Sequence, residues 1–398
     1  MSSVLRTSPR QGAALRGRDI ICFSHDWSGD PLSKTHLMRL LASDNRILWV
    51  NSVGYRSPNL SRADVHRALH KLRSVSLELT NPEPNIFVLN PLAIPLYGNS
   101  AVRWLNRTLL RFQVRRAMRK LRFRRSINWV FNPPAAVVAG QLGEDVLIYQ
   151  CVDEYGAFTG ASATAIQEFE LHLLSTADVA LVSSERLLES RRRINPTTAL
   201  VRHGVDYEHF RRALDSDTVV PADLAGLPHP ILGFFGLIAD WIDVQLLRRL
   251  AEHFSQGSIV LIGKVVTDVN LLAELPNVHF LGRKPYSELP AYCRGMDVAL
   301  NPFRINELTL NANPLKVREY LAAGLPVVSS PIPEVAALGL CRIAQGPEET
   351  IRAVEAALAE PGPSLQRSEQ IRGESWSAKL EEIREHFAAA MARRAAQR

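Results

Sequence analysis

Two charged side chains, a lysine and a glutamate, lie three positions apart in the stretch 313–324. Lys316 and Glu319 share one face if this stretch is helical, because residues three and four apart are neighbours on a helix. A cation near the start of a helix favours a phosphate-bearing ligand. The spacing is equally that of a solvated ion pair on a surface helix.

The sequence marks both ends of the helix that would carry this pair. Asn313 can cap the free N–H groups, and Pro314 suits the first helical position. Gly324 supplies the left-handed residue that ends a helix, and the β-branched run after it predicts a buried strand. Residues 297–300 predict another strand upstream, which places Lys316 near a strand–loop–helix junction. Ligands of open α/β sheets bind at that edge.

The pattern of residues 314–328 is Pro-x-Lys-x-x-Glu-Tyr-Leu-Ala-Ala-Gly-x-Pro-Val-Val, where x is any residue. It resembles the nucleotide-sugar motif of GT-B glycosyltransferases of the retaining family 4 type (glycosyl transferase group 1), including bacterial polysaccharide and teichuronic-acid-type transferases. The resemblance implies that Glu319 binds the ribose hydroxyls of a donor nucleotide. It also implies that the helix start, with Asn313, faces the diphosphate and the sugar.

Strands alternate with helices along the chain, which predicts parallel sheets covered on both faces. A length of 398 residues suits two domains. The resemblance implies an α/β GT-B fold with two Rossmann-like domains facing across a cleft. The predicted boundaries are a disordered leader at 1–18, an acceptor domain at 19–210, a linker at 211–229, a nucleotide-sugar domain at 230–373, and a C-terminal helix at 374–398 that crosses back to the first domain.

Polar residues follow predicted strands of the first domain. His25 and Asp26 come after the first strand, and Asp153 follows a later one. Because the carboxyl ends of parallel strands share one edge, these side chains should face the cleft. We predict that one of them orients the acceptor or the donor sugar, although a role as a loop cap or turn residue explains any single one equally well.

The loop after the first strand lacks a Gly-x-Gly-x-x-Gly fingerprint, which argues against a dinucleotide site. The corresponding loop of GT-B enzymes sits over the acceptor and the donor sugar. The resemblance therefore places Ser28 and Gly29 on the acceptor side.

The second domain offers a glycine and a lysine at strand ends that could approach phosphate. Gly236 permits close backbone approach, and Lys264 follows a strand-end glycine, although a solvated loop lysine would look the same. The family usually has an arginine and a lysine after the glycine that matches Gly236, and residues 237–243 contain neither. We therefore expect Lys316, the helix dipole and Lys264 to stabilise the leaving group. Asp243 is expected to cap its own helix.

Two further positions depart from the family pattern. His203 replaces the usual asparagine in the segment that ends the first domain, and Asn311 stands where a first glutamate is common. These departures leave open a relative of the same fold that has lost catalysis.

Residues 101–126 contain ten basic residues and no acidic one, interleaved with apolar residues at near-helical spacing. A basic amphipathic helix suits an anionic membrane surface. A helix packed in the core with an arginine face would show the same pattern. Nucleic acid is not expected as a partner, because nothing else in the chain supports it.

Composition favours a globular cytoplasmic protein, with a peripheral position at the inner face of the membrane as an option. The chain is 46% hydrophobic and 22% charged, and it has no apolar run that approaches ~20 residues. Its four cysteines are far apart, which predicts reduced thiols. No metal-ligand spacing is found, and no cofactor is expected beyond the nucleotide-sugar donor.

The sequence and the resemblance together predict a glycosyltransferase that uses a nucleoside-diphosphate sugar, with UDP as the expected nucleotide, and acts with retention. The acceptor would be a glycan, a lipid-linked or a small-molecule hydroxyl, as in polysaccharide biosynthesis. Two alternatives remain: a nucleotide-sugar epimerase of the same fold, and a non-catalytic nucleotide- or glycan-binding relative.

Overall fold

The computed structural model describes residues 15–52, 79–94, 98–157 and 163–396. Residues 1–14, which form most of the predicted leader, lie outside this range. The strands form two sheets, one drawn from residues 19–200 and the other from residues 231–343.

The first sheet has eight strands in the order β3-β4-β2-β1-β5-β6-β7-β8. Its pairs are parallel, except that β3 runs antiparallel to β4 at one edge. The strands are β1 Asp19–Ser24, β2 Arg46–Asn51, β3 Thr80–Glu83, β4 Ile86–Leu89, β5 Ser126–Val130, β6 Val146–Cys151, β7 Val179–Val182 and β8 Ala199–Leu200.

The second sheet has six parallel strands in the order β11-β10-β9-β12-β13-β14. This is the doubly wound order: successive strands are added on one side of β9 up to β11, and then on its other side from β12 onward. The strands are β9 Ile231–Phe235, β10 Ser258–Ile262, β11 Val278–Gly282, β12 Val298–Asn301, β13 Val327–Ser329 and β14 Arg342–Ile343.

Helices cover both faces of the sheets and extend from the second sheet back to the first. They are α1 Ser33–Leu41, α2 Ser100–Leu121, α3 Ala163–Thr176, α4 Glu185–Arg192, α5 Tyr207–Arg211, α6 Ala222–Ala225, α7 Val244–His253, α8 Asn270–Ala273, α9 Leu289–Arg294, α10 Glu307–Asn311, α11 Leu315–Ala322, α12 Pro333–Ala336, α13 Gly346–Ala357, α14 Leu365–Gln370 and α15 Trp376–Ala396. Single 3₁₀ turns lie at Pro133–Val137, Tyr155–Ala157, Arg212–Leu214, Tyr286–Glu288 and Arg372–Glu374.

The central strands are buried and mostly apolar because helices cover both faces of a parallel sheet. Every residue of β1, β5, β6, β9 and β10 is buried. The predicted strand at 198–202 shrinks to the two residues of β8, and the antiparallel edge strand β3 was not predicted. Its four residues, Thr-Asn-Pro-Glu, include a proline and no β-branched alternation, so the sequence carries little strand signal.

The last helix, α15, packs against the first domain. Its apolar side chains lie in the core of the first sheet. They are Leu380, Ile383, Phe387 and Ala390. Residues from the predicted linker instead pack into the core of the second sheet, since Ala213 and Leu224 are buried there.

Asp243 caps α7, as predicted: its Oδ1 accepts a hydrogen bond from the Leu246 N–H at 3.0 Å. We expect Asp243→Ala to lower the free energy of unfolding by about 1 kcal/mol, because a free helix-end N–H loses its acceptor. Asp243→Asn should retain most of the stability, because an amide oxygen can accept the same bond. Chemical denaturation of both variants would measure the difference, and an equal loss in the two would contradict the capping role.

The two domains are tied together by buried hydrogen bonds near α11. The Asn313 Nδ2 donates to the Ser183 carbonyl oxygen at 2.7 Å, and the Ser184 Oγ donates to the Asn311 carbonyl oxygen at 2.7 Å. The prediction that Asn313 caps α11 is therefore wrong: Pro314 occupies the cap position, no side chain caps it, and the Asn313 amide bonds across the domain interface instead.

No helix in the described part of the chain combines the length and apolar character that crossing a bilayer would require.

Candidate functional site

The carboxyl ends of both sheets meet at a cleft between the domains. Doubly wound parallel sheets bind ligands at this edge, next to the two strands between which the strand order reverses. In the second domain the loops after β9 and β12 are joined: the Asp243 N–H donates to the Pro302 carbonyl oxygen at 2.8 Å, and the Arg304 N–H donates to the Trp241 carbonyl oxygen at 2.8 Å. These loops form one rigid wall of the cleft.

A cavity of 310 Å³ lies in this cleft, between side chains of both domains. Lys34, Asp153 and His203 contribute from the first domain. The second domain contributes residues from the loops after β9 and β12 and from the start of α11: Trp241, Phe303, Leu308, Thr309, Ala312, Asn313, Pro314 and Leu315. Apolar walls with a few charged groups at one end are typical of small-molecule sites.

The two charged groups in the cavity make no hydrogen bond or ion pair with the residues that the structure describes. Within the described residues, neither the Lys34 ammonium nor the Asp153 carboxylate forms a hydrogen bond or an ion pair, and the nearest ring contact of Lys34 Nζ is with Phe131, 5.7 Å from the ring centroid. Unpaired charges that are largely removed from water destabilise a fold unless something else compensates them. An arrangement of this kind is typical of a ligand site.

Burial shifts the titration of the groups around this cavity. It raises the pKa of Asp153 to about 6, which the nearby Lys34 ammonium partly offsets, and it lowers the pKa of Lys34 below its usual range. Burial, with a smaller contribution from Arg318, lowers the pKa of His203 to about 3. His203 is therefore a neutral imidazole at pH 7, while Asp153 titrates just below neutrality.

Asp153 should reduce stability at neutral pH. Its pKa in the folded protein, about 6, lies above the unfolded value, so the folded state favours the protonated acid and loses stability as the pH rises through 6. We expect Asp153→Asn to stabilise the protein by about 1–2 kcal/mol at pH 8. The gain should vanish toward pH 4. Thermal melts of wild type, Asp153→Asn and the exposed control Asp217→Asn at several pH values would measure it; a gain that does not depend on pH would refute the cause.

Glu319 is buried in α11 beside Lys316. The Lys316 Nζ lies 2.9 Å from Glu319 Oε2, and the carboxylate side chain is 2% exposed. The ammonium therefore pairs with Oε2 electrostatically, although the contact lacks hydrogen-bond geometry. The ammonium also lies 4.9 Å from the centroid of the Phe235 ring at the end of β9. The pair is therefore buried at a sheet edge, and it is not the solvated surface pair that its spacing also allowed.

Gly236 and Gly263 let two strand ends approach each other at this edge. Both have positive φ, 149° and 144°, and a Cβ on Gly263 would lie 1.8 Å from the Gly236 carbonyl oxygen. A Cβ on Gly236 would lie 3.9 Å from Lys316 Cε. Lys264 follows Gly263 and is exposed. The structure thus brings Gly236, Lys316 and Glu319 together, with Lys264 on the adjoining loop.

The predicted first-domain residues are spread between the cavity and the loop after β1. Asp153 lines the cavity. Both ring nitrogens of His25 face hydroxyl groups, with Ser24 Oγ 3.0 Å from Nδ1 and Thr35 Oγ1 3.4 Å from Nε2. Burial, followed by the Lys34 charge, lowers the pKa of His25 to about 4, so the ring is neutral at pH 7.

Asp26 stabilises its own turn. Its Oδ1 accepts hydrogen bonds from the Ser28 N–H at 3.0 Å and the Ser28 Oγ at 2.9 Å. Gly29 follows in the same exposed loop, where its N–H donates to the Asp26 carbonyl oxygen. Asp26, Ser28 and Gly29 do not line the cavity.

Sequence reasoning missed Lys34, Thr309 and the two aromatic side chains of the cavity, Trp241 and Phe303. Lys34 lies in the first turn of α1, directly after the loop that leaves β1. That position was available as a signal, because a residue at the start of the first helix faces the ligand edge of a parallel sheet. The aromatic residues could not be found from spacing, since their loops are brought together only by the β9–β12 pairing.

The described residues contain no group of three or more His, Cys, Asp or Glu side chains arranged to hold a metal ion. The four cysteines are unpaired, and Cys22, Cys151 and Cys293 are buried.

Comparison with solved structures defines the class of fold. A sucrose-phosphate synthase from Thermosynechococcus elongatus matches with a TM-score of 0.66 at 15% identity, covering 94% of this chain and 99% of that one. The Anabaena protein Alr3699/HepE, solved in complex with UDP-glucose, matches with a TM-score of 0.61 at 13% identity, covering 94% and 99%. The fold is therefore GT-B, with two Rossmann-like domains facing across a cleft, as predicted.

Comparison of sequences gives a more specific relationship. Residues 229–360, which contain Lys316 and Glu319, match the family model described as glycosyl transferases group 1. The putative teichuronic acid biosynthesis glycosyltransferase TuaH of Bacillus subtilis (strain 168) is 27% identical over 225 residues, covering 52% of this chain and 55% of that protein. The chain thus spans about half the length of this curated relative. Both matches carry the name glycosyltransferase, which supports a transferase enzyme.

Proposed function

We propose that this protein transfers a sugar from a nucleoside-diphosphate sugar, with UDP as the nucleotide, to an acceptor hydroxyl and with retention at the anomeric carbon. The single observation that carries the proposal is the position of Glu319, a buried carboxylate beside Lys316 and Gly236 at the ligand edge of the second sheet. Ribose hydroxyls can donate hydrogen bonds to this carboxylate, and hydrogen bonds to a charged group are among the stronger ones.

The reaction needs the diphosphate to leave and the acceptor to approach without water. The acceptor oxygen forms a bond to the anomeric carbon while the bond from that carbon to the β-phosphate oxygen breaks. The electron pair leaves with the nucleoside diphosphate, and the acceptor proton passes to the departing phosphate oxygen. The protein needs no separate base for this step, because the departing phosphate oxygen takes the acceptor proton.

Lys34 supplies positive charge to the diphosphate from the first domain. Residues 237–243 carry no cation, Lys264 is exposed, and Lys316 is engaged by Glu319. The Lys34 ammonium has no hydrogen-bond partner within the described residues and faces the cavity that begins at the start of α11. Because the charge comes from one domain and the ribose site from the other, the donor would be held only when the two domains face each other as they do here.

The assignment of UDP is supported by relatives of the same fold. Alr3699/HepE was solved in complex with UDP-glucose. An E. coli structure, named for trehalose-6-phosphate, was solved with UDP-2-fluoro glucose bound. It matches with a TM-score of 0.65 at 12% identity, covering 93% of this chain and 99% of that one. The TuaH name supports a glycan acceptor on a growing polysaccharide, including one attached to a lipid carrier. Asp153 faces the cavity from the acceptor domain and would orient an acceptor or sugar hydroxyl.

Calorimetric titration of the full chain with UDP, GDP and ADP tests the proposal. We expect UDP to bind, and UDP-sugars to be consumed with release of UDP when an acceptor is present. If no nucleotide binds, the proposed function is wrong. Conversion of one UDP-sugar into another without acceptor would identify an epimerase instead. Nucleotide binding without consumption of any sugar donor would identify a non-catalytic binding protein.

A further inference from the structure

The helix α2 buries two amides together with apolar side chains, and it exposes two aromatic rings, which is unusual on a protein surface facing water. Its buried face includes Asn106 and Gln113. The side chains of these residues bond the backbone of the preceding segment: Asn106 pairs with the N–H and the carbonyl oxygen of Ile94, and Gln113 pairs with those of Leu92. The same face buries Leu110 and Val114, so the helix is fixed in an orientation that leaves its two largest aromatic rings outside.

Two aromatic side chains of α2 lie in the open on the opposite face. Trp104 is 65% exposed and Phe112 is 56% exposed. Residues at intervals of four, seven, eight and eleven share a helix face, so these rings lie in one stripe with Thr108, Arg111 and Arg115. Side chains of this stripe, together with Leu142, line a surface concavity of 820 Å³.

The charge around these rings is almost wholly uncompensated. Of the ten basic residues in 101–126, Arg103 is the one that forms an ion pair within the described residues, with Glu168 at 2.6 Å. Arg107 and Arg115 donate to Gln141 oxygens, which are neutral. The face therefore presents aromatic rings among cations whose charge no described acidic residue neutralises, and the segment itself contains no acidic residue.

We infer that this face of α2 docks on the surface of an anionic lipid bilayer. Aromatic rings at exposed positions would enter the interfacial layer, and the arginines would contact lipid phosphates. A polyanion such as DNA would use the cations but would leave two exposed rings on one helix stripe without a role, so the lipid surface accounts for both features. The inference goes beyond the proposed transfer reaction and does not depend on it.

Flotation of the full chain with vesicles tests this inference. The probes are vesicles of phosphatidylcholine alone and of an equimolar mixture with phosphatidylglycerol. We expect binding to the mixed vesicles, little binding to the neutral ones, and loss of binding between about 0.1 M and about 1 M salt, because the Debye length falls from about 10 Å to about 3 Å. No flotation with the anionic vesicles would overturn the inference.

Two paired substitutions separate the contributions of rings and cations. Trp104→Ser with Phe112→Ser should reduce partitioning about tenfold, and Arg111→Gln with Arg119→Gln should reduce it by a similar factor. Leu365→Ser and Arg352→Gln, exposed positions of the second domain, are the matched controls and should bind like wild type. All of these positions are exposed, so the variants should fold, which circular dichroism would verify.

Binding of the same variants to a DNA duplex tests nucleic acid as the alternative partner of this face. Binding to a duplex that is unaffected by Trp104→Ser with Phe112→Ser, combined with no vesicle binding, would reassign the face to nucleic acid. Vesicle binding that the aromatic pair does not alter would contradict docking through α2. Loss of vesicle binding in both pairs, with UDP binding unchanged, would support it whether or not the transfer reaction is found.

Discussion

Substitution of Glu319 should weaken nucleotide binding by about 1–3 kcal/mol, or roughly five- to 150-fold. In Glu319→Ala the ribose hydroxyls lose a buried, charged hydrogen-bond acceptor. Glu319→Gln retains the shape and one oxygen acceptor and should lose less. Calorimetric titration with the nucleotide that wild type binds would measure both losses.

The position of Lys316 makes this substitution tolerable for folding. Its side chain is 24% exposed, so the ammonium can turn toward water when its partner is removed. Glu288→Gln, an exposed carboxylate of the same domain, is the control and should bind like wild type. Unchanged affinity in folded Glu319→Ala would remove Glu319 from the site, and the proposed function would lose the observation that carries it.

Substitution of Lys34 should weaken the binding of a nucleoside diphosphate much more than the binding of the nucleoside alone. We expect Lys34→Gln to weaken UDP binding by about ten- to hundredfold, because a half-buried ammonium would contribute a charged hydrogen bond to phosphate. The affinity for uridine should fall by less than about twofold, because uridine has no phosphate for Lys34 to contact. Calorimetry with UDP and uridine, on wild type and variant, gives both ratios.

Lys34→Gln is also expected to fold. Burial lowers the pKa of Lys34, which means that the charged form is destabilised in the folded protein, so a neutral amide should maintain or raise the melting temperature. Lys120→Gln, exposed on α2, is the control for loss of one positive charge. Equal weakening of UDP and uridine would indicate a structural role. Unaltered UDP binding would assign the diphosphate to Lys264 or Lys316.

The glutamate and the lysine lie in different domains, so the two variants also test the cleft. A donor held from both sides should show non-additive losses in the double variant, because the two contacts depend on the same closed arrangement. The buried bond from Asn313 to the Ser183 carbonyl oxygen fixes that arrangement next to the ligand.

Features that depend on near neighbours in the chain were predictable. The C-terminal end of α11 follows from Gly324, which has a φ of 80°. The N-terminal end of α7 follows from Asp243, which accepts a hydrogen bond from a helix-end N–H. The alternation of apolar strands with helices predicted both sheets, because a strand covered on two faces must be apolar throughout. The neighbouring positions of Lys316 and Glu319 follow from helix geometry alone.

Features that depend on distant residues could not be predicted. Asn313 carries every local sign of a helix cap, yet its amide bonds to a carbonyl group 130 residues away in the chain. The exposed rings of α2 have the same origin, because Asn106 and Gln113 are held by the preceding segment and so decide which face is buried.

The amino-acid sequence by itself determined the elements, the type of fold and the helix that carries Lys316 and Glu319. Only the tertiary structure decided which charges remain unpaired in the cleft, that Lys34 and Asp153 share one cavity, and which face of α2 meets the solvent. The physical reason is that secondary structure is specified by neighbours within a few residues, whereas burial and pairing of charge depend on which surfaces the folded chain brings together.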